Sequence, residues 1–157
     1  MISSVLLKGI RVEKSNFSFL FNSLKDISGF TRNMTRSTYR LLKHNLPGPY
    51  TFILEASSEV PQIFRNRKKT IGIRIPDHAI TSGIITYTGH PLIATSLHTN
   101  DEIADYPTDP NEIYEQFGIE ADLIIDAGFG GNVPSTVIDC TGDEPLLVRK
   151  GAGDIEV

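Results

Sequence analysis

The stretch Lys69-Thr-Ile-Gly-Ile-Arg-Ile-Pro76 constrains the fold most, because its pattern suits one backbone conformation. Isoleucines at 71, 73 and 75 recur with period two. That spacing puts them on one face of a β-strand and Thr70, Gly72 and Arg74 on the other. β-branched side chains fit a pleated surface, and Pro76, with no amide hydrogen to give a neighbour, marks the strand's end. The second face carries a hydroxyl, a glycine and a guanidinium. It reads either as plain solvated strand surface or as a place where Gly72 lets another group approach the backbone beside Arg74.

The neighbouring stretches give this strand its context. Phe17–Phe21 reads as a strand and 23–28 as a short helix. From Thr35 to Asn45, Met34, Leu41, Leu42 and Leu46 fall near helical spacing, with Arg36, Arg40 and Lys43 among the polar positions. Pro47-Gly-Pro49 ends that helix and a strand runs from Tyr50 to Ala56. Asp77 is a candidate N-cap and Gly89 a candidate C-terminal stop for a helix over 78–88. Pro91–Leu97 reads as a buried strand. Asp109-Pro-Asn-Glu112 is the clearest helix start, with an acidic cap, proline at the first position and Gly118 closing the helix. Strands are expected at Asp122–Asp126, Thr136–Cys140 and Leu146–Arg149. Strands alternating with helices, without repeats, give an α/β class.

Length and charge bound the function. A chain of 157 residues makes one domain, 1–157, with a sizeable core. No apolar run reaches a membrane span and no leader pattern opens the chain, so the expected setting is cytoplasmic. Cys140 is the single cysteine, which leaves no intrachain disulfide and no cysteine zinc cluster. The net charge of -4 conceals an asymmetry: residues 1–76 hold 13 Lys/Arg against 4 Asp/Glu, and residues 77–157 hold 2 against 15. That split reads either as a basic surface for phosphates or nucleic acid, or as two halves of one fold that pair their charges.

Three strand ends could carry chemistry, since α/β folds place ligands there. Ala94-Thr95-Ser96 offers hydroxyls and amides to an anion, or an ordinary turn. Gly128-Phe-Gly-Gly131, leading to Pro134-Ser-Thr-Val137, lacks the spacing of a phosphate-binding glycine loop and reads more readily as a flexible hairpin loop. Ser135 has no histidine in a partner motif that would make it a nucleophile. Arg149 and Lys150 are the only cations after Arg74, and cations so isolated act as counter-ions or as a ligand clamp. His98, Asp101, Glu102 and Asp105 could share a helical face, yet an acidic surface loop gives the same letters, and no metal site is expected.

Taken in order, five segments resemble the YrdC/YciO family of threonylcarbamoyl-AMP synthase-like proteins. They are Leu46-Pro-Gly-Pro-Tyr-Thr-Phe-Ile-Leu54, Lys69–Pro76, Pro91-Leu-Ile-Ala-Thr-Ser96, Pro134-Ser-Thr-Val-Ile-Asp139 and Val148-Arg149 with Gly151. Leu97-His98 after Ser96, rather than Ala-Asn, draws the resemblance toward the YciO-like branch. The resemblance implies a twisted mixed α/β sheet with flanking helices and a large, positively charged concave cavity. It implies ATP, brought with Mg²⁺, and L-threonine and bicarbonate as ligands, joined to threonylcarbamoyl-AMP and pyrophosphate for the t6A modification of tRNA. Double-stranded RNA or tRNA binding is the alternative it carries. By matching motifs, Lys8, Asn16, Thr70, Ser96 and Arg149 would contact the nucleotide, and Arg74, Ala94 (through its backbone) and Ser135 the amino acid.

The family's opening strand and its Pro-Thr-Asp-x-x-Tyr-Gly-Leu motif have no match here, so the domain is expected to be N-terminally truncated. Lys8-Gly-Ile-Arg11 departs from the family's Lys-x-Arg, and Phe21 stands where the synthases have histidine.

Overall fold

The computed structural model describes residues 17–64, 68–95 and 108–154. Six strands form one mixed sheet: β1 (Ser18–Leu20), β2 (Tyr50–Glu55), β3 (Thr70–Arg74), β4 (Leu92–Ala94), β5 (Thr136–Asp139) and β6 (Leu146–Arg149). Their order is β4-β1-β3-β2-β5-β6. β3 therefore lies inside the sheet, parallel to β1 and antiparallel to β2, as a strand with two buried sides must. β2 runs parallel to β5, and β6 closes the sheet antiparallel to β5, with a register shift between Val137 and Ile138.

Alternation sorts the side chains into two faces. Phe19, Phe52, Leu54, Ile71, Ile73 and Ile138 are buried on one face, where they form the core. Helices α1 (Leu24–Ile27) and α2 (Arg36–Asn45) cover it, inserting Ile27 and Leu42. Phe19, Phe21 and Phe30 meet ring to ring, with centroids 5.2–6.5 Å apart. Fully burying such side chains contributes about 1.5–3 kcal/mol each. Thr35 caps α2 by accepting from the Thr38 amide at 3.1 Å, and Asn45 at its last turn donates to Leu41 O.

Helix α3 (Ala79–Thr88) is tied to the turn after β1 by Asn22, whose Nδ2 donates to Ser82 O and Thr86 Oγ1. Its N-cap is His78, not Asp77. His78 holds the extended backbone at the helix entry and its Nδ1 accepts from the Thr81 amide, a task Asp77 stands one residue too early to perform. Gly89 ends α3 at φ +70°, where a side chain would be strained. Helix α4 (Pro110–Phe117) starts as expected, with Asp109 Oδ1 accepting from the Asn111 amide at 2.9 Å.

Two expected strands differ. Asp122–Asp126 forms no strand: among the described residues it finds no partner, Leu123 and Ile125 are exposed, and Asp126 Oδ1 accepts from the Gly128 amide in a turn. A short apolar run such as Leu123-Ile-Ile125 cannot make a strand without a second backbone to satisfy its amides. β4 is a short, half-buried edge strand rather than a buried one. Ser96 and Leu97, at the end of the expected strand, lie outside the described residues.

Candidate functional site

The face opposite the core is polar and convergent. Its rows follow the strand pairing. Ala94, Ser18 and Gly72 stand in register across β4, β1 and β3. Thr51, Val137 and Arg149 stand in register across β2, β5 and β6. Thr51 and Arg74 follow one residue beyond the Phe52–Ile73 pair, so they share this face too. Gly72 forms its floor. A Cβ there would meet Ser18 Oγ at 3.1 Å, Phe17 O at 3.3 Å and Thr51 Cγ2 at 3.3 Å. What approaches Gly72 is thus its strand neighbours, which crowd its backbone while Gly72 and Arg74 stay half-exposed.

Ser135, just before β5, is the centre of the polar contacts. Its hydroxyl lies 2.8 Å from Thr51 Oγ1. Arg149 reaches back across the β5–β6 pair and donates from Nε and Nη2 to Ser135 O, at 3.2 and 2.9 Å, with Nη2 also 3.4 Å from Ser135 Oγ. Among the described residues no histidine hydrogen-bonds Ser135, whose hydroxyl is engaged by Thr51 and Arg149.

Arg74 projects beside this cluster. Its Nε is buried and has no hydrogen-bond partner. Burial, and then the nearby Arg149 guanidinium, hold its pKa below the ordinary arginine value. Among the described residues neither guanidinium meets a carboxylate at ion-pair distance; the one such pair is Lys150–Asp154 at 3.8 Å on the surface. Two cations, a buried unsatisfied donor and two hydroxyls on one open face suit an anion with several oxygens. Among the described residues, no group of three or more histidine, cysteine or acidic side chains could hold a metal ion.

The expected site residues divide accordingly. Arg74, Ser135 and Arg149 come together. Ala94 shares the face one strand outward, and Thr70 is buried at the far end of β3, about 13 Å from Arg74 along the strand. Lys8, Asn16 and Ser96 lie outside the described residues, as do His98, Asp101, Glu102 and Asp105. Gly128–Gly131 is an exposed loop held by Gly130 N donating to Thr108 O. Arg36, Arg40 and Lys43 are exposed on α2, which packs on the core face, so they do not join the Arg74–Arg149 cations. Thr51 was missed by motif reading, though its place opposite Phe52 and Leu54 in an alternating strand marks it as facing away from the core.

A mixed sheet whose one open face carries two guanidiniums, neither at ion-pair distance from a carboxylate among the described residues, defines the class: an α/β domain with a cationic face. The chain belongs to the Sua5/YciO/YrdC family, described as Telomere recombination, whose model matches residues 5–151. It is 38% identical to YciO of Escherichia coli over 143 residues, 90% of this chain and 68% of that protein. The crystal structure of E. coli YciO superposes with a TM-score of 0.83, covering 88% of this chain and 67% of that one, and shares the twisted mixed sheet. The threonylcarbamoyl-AMP synthase of Pyrococcus abyssi is 30% identical over 135 residues, 85% of this chain and 39% of the synthase. The structure of P. abyssi Sua5 complexed with L-threonine gives a TM-score of 0.79 at 29% identity, covering 92% of this chain and 42% of that one. The chain thus spans about two-thirds of YciO and less than half of the P. abyssi proteins. Among the described residues, no helix is long and apolar enough to cross a membrane.

Proposed function

We propose that this domain binds ATP and L-threonine in the manner of a threonylcarbamoyl-AMP synthase, with Arg149 and Thr70 serving the nucleotide and Arg74, Ala94 and Ser135 the amino acid. The observation that carries this reading is the Arg74–Arg149 pair: two guanidiniums converge beside Ser135 with, among the described residues, no carboxylate at ion-pair distance and a buried Nε left unbonded. The relationship to the P. abyssi synthase supports the choice of ligands. Lys8, Asn16 and Ser96 complete the proposed nucleotide contacts.

The chemistry asks for what this face contains. Threonine's amine adds to bicarbonate with loss of water, giving a carbamate. A carbamate oxygen then attacks the α-phosphorus of ATP, and the bond to the pyrophosphate oxygen breaks. Charge moves between carboxylate and phosphoryl oxygens throughout, so fixed cations and donors lower the barrier more than a nucleophile would. Arg74 and Ser135 would orient the amino acid. Arg149, anchored on Ser135 O, would hold a phosphoryl oxygen close to it.

Calorimetric titration with ATP and Mg²⁺, with and without L-threonine and bicarbonate, tests this. Saturable binding is expected, weakened about 10- to 100-fold by Arg149→Ala, the loss of one charge-assisted contact. A folded sample that gives no heat overturns the proposal.

A further inference from the structure

The chain leaving β6 turns back under Ser135, and one hydroxyl holds it there. Thr136 is fully buried. Its Oγ1 donates to Gly153 O at 2.6 Å and accepts from the Gly151 amide at 3.0 Å, so both of its hydrogen-bonding roles are used on the same return segment. Ala152 N donates to Pro134 O at 2.9 Å, and Tyr50 OH reaches Asp154 O at 3.3 Å. The approach leaves no room for side chains. A Cβ on Gly151 would collide with Pro134 O and the Ser135 carbonyl, and one on Gly153 with the Tyr50 ring.

This clasp joins two residues of the anion face that belong to successive strands, Ser135 just before β5 and Arg149 at the end of β6. Ser135 is immediately before Thr136, and Arg149 is two residues before Gly151. Fixing Gly151 and Gly153 against Thr136 therefore fixes the start of β5 against the end of β6. Arg149 itself is exposed, and among the described residues its side-chain hydrogen bonds go to the Ser135 oxygens.

We infer that Thr136 is a positioning residue for the anion site. Its buried hydroxyl clamps the Gly151–Gly153 return onto β5 and so sets the Ser135 hydroxyl against the Arg149 guanidinium. The inference rests on the proposed reading of that face, and its role is distinct from that of a core side chain because it depends on a hydroxyl rather than on volume.

Three variants test it: Thr136→Val, which keeps the shape and removes the hydroxyl; Thr136→Ser, which keeps the hydroxyl; and Gly153→Ala, which pushes the return away with Thr136 intact. Each is titrated with ATP and Mg²⁺, and each is followed by the ¹H–¹⁵N signals of the Arg149 Nε–H and the Gly151 amide. Thr136→Ser should bind within about twofold of the parent, while Thr136→Val and Gly153→Ala should lose about tenfold or more. In those two the Gly151 amide should exchange faster and the Arg149 signal should move, with far-UV circular dichroism unchanged. Unchanged affinity and an unmoved Arg149 signal in Thr136→Val overturn the inference. If Thr136→Val does not fold, the same two readouts on Gly153→Ala decide. A parent that binds no ATP overturns the functional reading by itself, and the Arg149 and Gly151 signals then decide the clasp alone.

Discussion

The two faces of the sheet are made from alternate residues of the same strands, yet they are finished differently. On the core face, Phe19, Phe52, Ile73 and Ile138 are fully buried, and α1 and α2 complete the packing. On the other, Thr51, Ser135 and Arg149 bond to one another while Arg74 is left with an unused donor. Burial with satisfied packing gives stability; a guanidinium left without a carboxylate among the described residues gives this face its positive charge. In this domain the two properties are separated by the thickness of one strand.

The sharpest way to break that division is to damage the core face and look for an effect on the other. Phe52→Ala removes a fully buried ring and should cost about 3–5 kcal/mol of stability, measured by urea unfolding. Its folded fraction should still bind ATP with parental affinity. A loss below about 1 kcal/mol would show that the core face does not carry the fold.

Arg74→Leu probes the opposite face. It removes a buried unsatisfied donor and one of two like charges, so the unliganded protein should gain about 1 kcal/mol while the threonine-dependent heat disappears. The sign of the pH dependence follows from the lowered pKa. A cation whose folded pKa is depressed remains charged, and costs stability, at every pH below that folded value. The cost is relieved only as pH rises through it. The gain should therefore be flat from about pH 5 to 9 and shrink in strong alkali. A destabilised Arg74→Leu protein would mean that the guanidinium is part of the packing instead.

Cys140 gives the smallest effect. It follows β5 and is half-buried, and burial followed by the neighbouring Asp139 carboxylate pushes its thiol up to about 11. At pH 8 its alkylation should run about two orders of magnitude slower than that of an exposed cysteine, and speed up as pH rises. Fast labelling at pH 8 would show that this end of β5 opens readily.

Much of this was legible in the residues. The isoleucine alternation of β3, the Asp109 cap and the Gly89 stop are local signals, and they located their elements. The family resemblance named Arg74, Ser135 and Arg149 by their motifs, and the fold brings these three onto one face. What failed depended on non-local facts. Asp122–Asp126 has a strand's letters and no neighbour to pair with. His78 displaced Asp77 because the helix begins one residue later than the acidic letter suggests. Thr51 and Thr136 could not be assigned contacts until the β2–β5 pairing and the return of 151–154 set their neighbours.

The register shift between Val137 and Ile138 has a consequence for how this site tolerates change. Ile138 pairs with Leu147, and Val137 pairs with Arg149. Continued without the shift, the ladder would set Val148 opposite Val137 and Arg149 opposite Thr136, aiming the guanidinium toward Phe52 and Ile138. One extra residue in β6 thus works like a reading frame: it decides which side of the sheet each later letter is spoken on. Substitutions along Leu146–Val148 change only words on an exposed strand. Deleting one residue there would change the phase, and send the charge meant for the open face into the core.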